Sequence, residues 1–184
     1  MRLLIFGPQG AGKGTQAALL APYWGIPHIS TGDIFRANIT NKTPMGRQVA
    51  AALAAGELVP DSVTQNMLAA RLLEPDARGG FVLDGFPRTP QQAEWLDAQV
   101  EGQGLDAVLL LTVSDEELLH RTLHRGRDDD TAETIARRLA IYHQTTEPLL
   151  RFYGPLVISI DGNRPVALVY QESIAAIANL TASD

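Results

Sequence analysis

The chain has 184 residues, 45% of them hydrophobic, and a formal net charge of -6, which suits one domain with a real apolar core. No block of like charge exceeds Asp128-Asp129-Asp130, so neither nucleic acid nor an anionic membrane is expected as the main partner. Cysteine is absent, which excludes disulfides and thiolate zinc and fits a reducing compartment.

The run Leu3–Phe6 predicts a first strand; it is too short for a signal-peptide core, and nothing resembles a membrane span, so a cytoplasmic protein is expected. Gly7-Pro8-Gln9-Gly10-Ala11-Gly12-Lys13-Gly14-Thr15 follows, and Gln16 to Leu20 reads as helix. Strand, glycine-rich turn and helix form the setting of a phosphate-binding loop. The glycines let backbone N–H groups wrap phosphate oxygens, the helix N-terminus adds positive potential, and Lys13 supplies a mobile ammonium. A loop that only made a tight turn would not need that lysine.

Further strands are predicted at Ile26–Ile29, Phe81–Leu83, Ala107–Val113 and Leu156–Ile160. Their continuous apolar character suits parallel strands covered on both faces. Helical stretches lie between them. Thr43-Pro44 reads as an N-cap and first helical residue, and Thr89–Gln92 and Ser114–Glu117 read as capping boxes. Asp161-Gly162-Asn163-Arg164-Pro165 reads as a turn into a last helix. There is no internal repeat, low-complexity segment or linker. The expected architecture is a doubly wound α/β domain, a central parallel five-stranded sheet with the phosphate loop after its first strand.

In many phosphate loops Ser or Thr follows the lysine directly; here Gly14 intervenes and the hydroxyl comes at Thr15. With its Gly12-Lys13-Gly14-Thr15 motif the chain resembles the adenylate kinases, within the nucleoside monophosphate kinases. Ser30-Thr31-Gly32-Asp33-Ile34-Phe35-Arg36, Gly56-Glu57-Leu58-Val59-Pro60-Asp61 and Asp84-Gly85-Phe86-Pro87-Arg88 also match, in order and at family spacing. So do Arg125-Gly126-Arg127, Arg137-Arg138-Leu139 and Asp161-Gly162. The likeness runs from residue 1 to about 165.

The resemblance implies a P-loop kinase fold over residues 1–184, with a helical acceptor-binding insert at about 30–59 and a short lid loop at about 126–132. It implies magnesium-dependent transfer of a phosphoryl group from ATP to AMP, giving two ADP. Gly10, Ala11, Gly12, Lys13, Gly14 and Thr15 would hold the ATP phosphates with Arg121 and Arg125, and backbone near Arg164 would touch the ATP adenine. Arg36 and Arg88 would face the AMP phosphate, and Arg127 and Arg138 the transferring region, with Arg137 the adjacent alternative to Arg138. Thr31, Glu57, Leu58, Val59, Gly85, Phe86, Pro87 and Gln92 would line the acceptor pocket. Thr31 favours AMP, because relatives acting on UMP or CMP commonly carry alanine there. Gln92 has a competing structural role as the reciprocal residue of the Thr89 capping box.

Asp84 would orient water on magnesium rather than bind it. No direct protein ligand to the metal is expected, because magnesium keeps several waters and binds mainly through substrate phosphates. Asp129 and Asp130 either form a solvated acidic turn or hold the nearby arginines in place. His120 and His124 are an i, i+4 pair with no apparent third metal ligand, and structural zinc is not expected. Nothing demands more than a monomer. A pyrimidine acceptor, a nucleotide-binding regulator without turnover and a simple ATPase or GTPase switch are the competing readings. Thr31 argues against the first, the intact arginine set against the second, and Gly14 against the third.

Overall fold

The computed structural model describes residues 1–100, 104–124 and 130–182. Five strands form one parallel sheet, ordered β2-β3-β1-β4-β5: β1 (Arg2–Phe6), β2 (His28–Ser30), β3 (Phe81–Asp84), β4 (Ala107–Thr112) and β5 (Val157–Asp161). Successive side chains of a strand point to opposite faces, and the core divides accordingly. Leu3, Ile5, Leu109 and Leu111 pack against α1 (Lys13–Trp24) and α8 (Val166–Thr181). Leu4, Phe6, Val108 and Leu110 pack on the other face, against α4 (Asp61–Leu72), α5 (Pro90–Gln99) and α7 (Ala132–Tyr153). Continuous hydrophobicity along these strands is the consequence of covering both faces.

The five expected strands are all present, with shifted ends. The second begins at His28 rather than Ile26, because the Ile26 N–H is used to close α1, bonding Ala21 carbonyl at 3.0 Å. Pro27 carbonyl makes the first contact to β3, accepting from Val82 N–H at 2.9 Å.

Between β2 and α4 the chain forms α2 (Thr31–Thr40) and α3 (Pro44–Ala55). Ser30 caps α2, and Thr43 caps α3 by accepting from Gly46 N–H at 3.0 Å. Phe35 of α2 and Val49 of α3 form a small separate core with Val59 and with Met67 of α4. Helices α2 and α3 cross so closely that a Cβ on Gly46 would lie 2.1 Å from Asn38 carbonyl oxygen. The sixth helix, α6 (Asp115–His124), precedes α7. The box expected at Ser114–Glu117 is not made: Glu117 pairs with Arg121 at 2.6 Å, and Ser114 N–H donates to Asn163.

Gly46→Ala is expected to force α2 and α3 apart and destabilise the protein by about 1–3 kcal/mol, the usual range for overpacking a tight contact. Urea unfolding of the two proteins measures this. An unchanged midpoint would mean that the crossing yields without cost.

Candidate active site

All five strands are parallel, so their C-terminal ends share one edge of the sheet. The connection from β1 runs through α1 to β2, while β4 leaves through α6 and α7 to the opposite edge at β5. A crevice opens where the winding reverses, which is where α/β sheets place ligands. Here it is a cleft of about 1130 Å³, more than one small-molecule site usually occupies.

Its floor is the loop after β1. Helix α1 starts at Lys13 behind Gly12, with no side chain capping its first turn, so the leading backbone N–H groups are not covered by a cap. Gly10 has φ +89, and a Cβ there would lie 2.6 Å from Thr122 Oγ1 on α6. The loop can lie this close to α6 only with glycine at that position. Lys13 reaches back over the loop, its Nζ donating to Pro8 carbonyl at 2.9 Å. Ala11, Gly12, Gly14 and Thr15 line the cleft beside it.

Asp84, the last residue of β3, faces this loop, its Oδ2 being 3.6 Å from where a Cβ on Gly14 would stand. Burial, the largest influence, pushes its pKa up. His28, Lys13 and Arg88 together outweigh burial and hold it below the ordinary aspartate value. His28 Nε2 lies 3.8 Å from Oδ2, beyond hydrogen-bond distance, and has no hydrogen-bond partner of its own. An ionised carboxylate opposite a phosphate loop, with room left by Gly14, fits a hydrated magnesium ion held chiefly by phosphates. Among the described residues no three His, Asp or Glu side chains converge as a metal cage.

The opposite wall carries the acceptor-side residues. Thr31, Arg36, Glu57, Leu58, Val59, Gly85, Phe86, Pro87, Arg88 and Gln92 all border the cleft. Arg88 is open to the cleft solvent, and its Nε donates to Gly85 carbonyl at 2.8 Å. Desolvation by the cleft walls lowers its pKa, Asp84 opposes that, and the nearby cations Arg138 and Arg36 lower it further. Three guanidinium groups therefore sit close enough to repel one another. Arg36 is paired with Asp33 on its own helix.

The remaining walls come from α6, α7 and the β5–α8 turn. Arg121 Nη1 donates to Gly162 carbonyl at 2.9 Å. Arg138 donates to Gln9 Oε1 at 3.0 Å and to Leu53 carbonyl at 3.0 Å, and lies 3.4 Å from Asp130. Gln9 also donates to Asp130 at 2.6 Å, so phosphate loop, α3 and the start of α7 meet at one arginine. Of the two readings of Asp130, holding an arginine is the one seen. Arg137 lies outside the cleft against the end of α3, 3.4 Å from Ala55 carbonyl, so Arg138 is the member of that pair facing the site. Arg164 borders the cleft and pairs with Glu172. Arg125, Arg127 and Asp129 lie outside the described residues. The rings of His120 and His124 lie 4.4 Å apart, tilted by 39°.

Gln9, His28 and Asp61 carried no site expectation. Gln9 stood inside the phosphate loop and Asp61 at the end of a matched motif, so position alone could have marked those two. His28 is brought to Asp84 only by the pairing of β2 with β3, which no local pattern announces.

Fold and cleft together define a P-loop phosphoryl-transfer enzyme with an anion cradle facing a second cluster of cations. The adenylate kinase family profile matches residues 5–156. Adenylate kinases from Nocardia farcinica and Corynebacterium glutamicum strain R are each 49% identical over 179 residues, and that of Mycobacteroides abscessus is 50% identical. Each alignment covers 96% of this chain and 99% of the relative. The chain belongs to the adenylate kinase family, and it is a nucleoside monophosphate kinase.

Because Asp84 is held in its ionised form, the activity ratio of the native enzyme to Asp84→Asn should stay constant between about pH 5 and about pH 8. Its depressed pKa stabilises the fold above the unfolded value, and that contribution is lost only as pH falls through the folded one. A ratio collapsing toward one near the acidic end would show that Asp84 titrates there.

Proposed function

We propose that this cleft carries out the adenylate kinase reaction, ATP and AMP to two ADP, with ATP over the phosphate loop and AMP against the Arg36–Arg88 wall. The observation that carries this reading is the convergence of Arg36, Arg88 and Arg138 opposite Lys13. Cations held this close repel one another, and anionic phosphates placed between them relieve that repulsion.

The attacking oxygen already belongs to the AMP phosphate, so no strong general base is required. A bond forms from that oxygen to the terminal phosphorus of ATP as the bond to the bridging oxygen breaks, and ADP leaves. The demands on the protein are alignment and charge compensation. Gly10 to Thr15 hold the donor phosphates through backbone N–H groups, and Lys13 follows the moving group. Arg121, on α6, and Arg125 serve the donor phosphates, and backbone near Arg164 receives the donor adenine. Arg36 and Arg88 grip the acceptor phosphate with paired, charge-assisted hydrogen bonds. Arg127 and Arg138 serve the transferring region. Thr31, Glu57, Leu58, Val59, Gly85, Phe86, Pro87 and Gln92 enclose AMP.

Magnesium, when bound with ATP, neutralises phosphate charge, and Asp84 with Thr15 would hold its water shell. The insert at about 30–59 closes over the substrates and excludes water, which suppresses hydrolysis of ATP; most of the expected lid loop at about 126–132 lies outside the described residues. We further propose that the enzyme works as a cytoplasmic monomer on small nucleotides, without nucleic acid or membrane partners. Among the described residues, no helix is long and apolar enough to cross a membrane.

Lys13→Ala and Arg88→Ala should each lower kcat by at least about a hundredfold, the scale of losing one preorganised charge-stabilising group, with circular dichroism unchanged. Near-native turnover in either variant would remove that residue from the mechanism.

A further inference from the structure

Gln92 stands in the first turn of α5, only 2% exposed, and both polar atoms of its carboxamide are engaged. Its Nε2 donates to Asp61 Oδ1 at 2.7 Å, and its Oε1 accepts from the Arg88 backbone N–H at 2.7 Å. A carboxylate offers only acceptors and a backbone N–H only a proton. The two partners therefore permit one orientation of the amide and oppose its flip. Thr89 completes the arrangement. Its hydroxyl accepts from Gln92 N–H at 3.2 Å and donates to Asp61 Oδ2 at 3.3 Å, so each Asp61 oxygen is engaged. The expected capping box thus exists in altered form: the reciprocal arm of Gln92 reaches Arg88 N–H rather than Thr89 N–H.

A carboxamide has two N–H donors and two acceptor lone pairs. After the contacts to Asp61 and Arg88, one of each remains, and Gln92 borders the cleft. We propose that Asp61 is a positioning residue that sets acceptor-base choice, by locking the Gln92 carboxamide so that it presents its donor and acceptor in fixed order. The inference rests on the placement of AMP beside Gln92. Adenine offers an acceptor at N1 beside a donor at its amino group. A 6-oxopurine offers the reverse, a donor at N1 beside an acceptor oxygen. An amide free to turn over serves either base, whereas one locked by Asp61 and Arg88 serves one and sets like against like for the other. Unpaired buried polar groups are what make such discrimination steep.

The test is kcat/KM with AMP and with inosine monophosphate as acceptors, for the native enzyme, Asp61→Asn and Asp61→Ala. Asparagine keeps the size of aspartate but can donate as well as accept, and alanine removes the contact. The AMP-to-inosine-monophosphate ratio should fall by about tenfold or more in both variants, with the change carried mainly by KM. Both acceptors are measured on the same preparation, so a reduced folded fraction cancels from the ratio. An unchanged ratio, or equal losses on both acceptors, would overturn the inference and leave Asp61 a purely structural residue. A native enzyme with no preference for AMP would overturn the acceptor placement itself, and the inference with it.

Discussion

The cleft depends on one electrostatic constraint: cations that repel one another must be held close together in a protein whose net charge is -6. Arg36, Arg88 and Arg138 come from α2, the β3–α5 loop and α7, and Lys13 from the start of α1. None of these segments is adjacent to all the others in sequence. They converge because all strands of the parallel sheet end at one edge, and Lys13, Arg36 and Arg88 lie on the segments that leave that edge directly after β1, β2 and β3. The repulsion is held in check by local acceptors, Gly85 carbonyl for Arg88, and Gln9, Leu53 carbonyl and Asp130 for Arg138. Guanidinium groups suit this task because each presents several donors, so anchoring to protein and gripping phosphate are compatible.

The same economy governs the polar side chains around the cations. Asp84 faces the phosphate loop with its charge maintained by His28, Lys13 and Arg88 against the opposing effect of burial. Asp61 is engaged at both carboxylate oxygens by neutral donors, the Thr89 hydroxyl and the Gln92 amide. One aspartate therefore works through its charge and the other through its acceptor-only character. Burial makes both effects stronger than they would be on the surface.

Much of this was legible in the sequence because the signals were local. Leu3–Phe6 and the glycines after it announce strand and loop within a few residues of each other. Thr43-Pro44 announces the start of α3, and the cap is made by the expected hydroxyl. What stayed hidden was set by pairing across distance. Ile26 was lost to the end of α1 because a helix cap competed for its N–H. Glu117 was taken by Arg121 instead of returning to the helix start. His28 reaches Asp84 only through strand pairing, and Asp61 reaches Gln92 only when α4 packs beside α5. Local pattern cannot express a competition decided by tertiary contacts.

The central claim is that two nucleotides meet in this cleft and that the acceptor is AMP. It is tested most directly by measuring nucleoside diphosphate formation from magnesium-ATP with AMP, UMP, CMP and GMP supplied separately. The account predicts rapid conversion with AMP, two ADP formed for each AMP consumed, and far slower transfer to the other three. Preference for a pyrimidine acceptor would contradict the assignment of the pocket around Thr31 and Gln92. Tight ATP binding with no transfer to any acceptor would contradict the proposed reaction altogether.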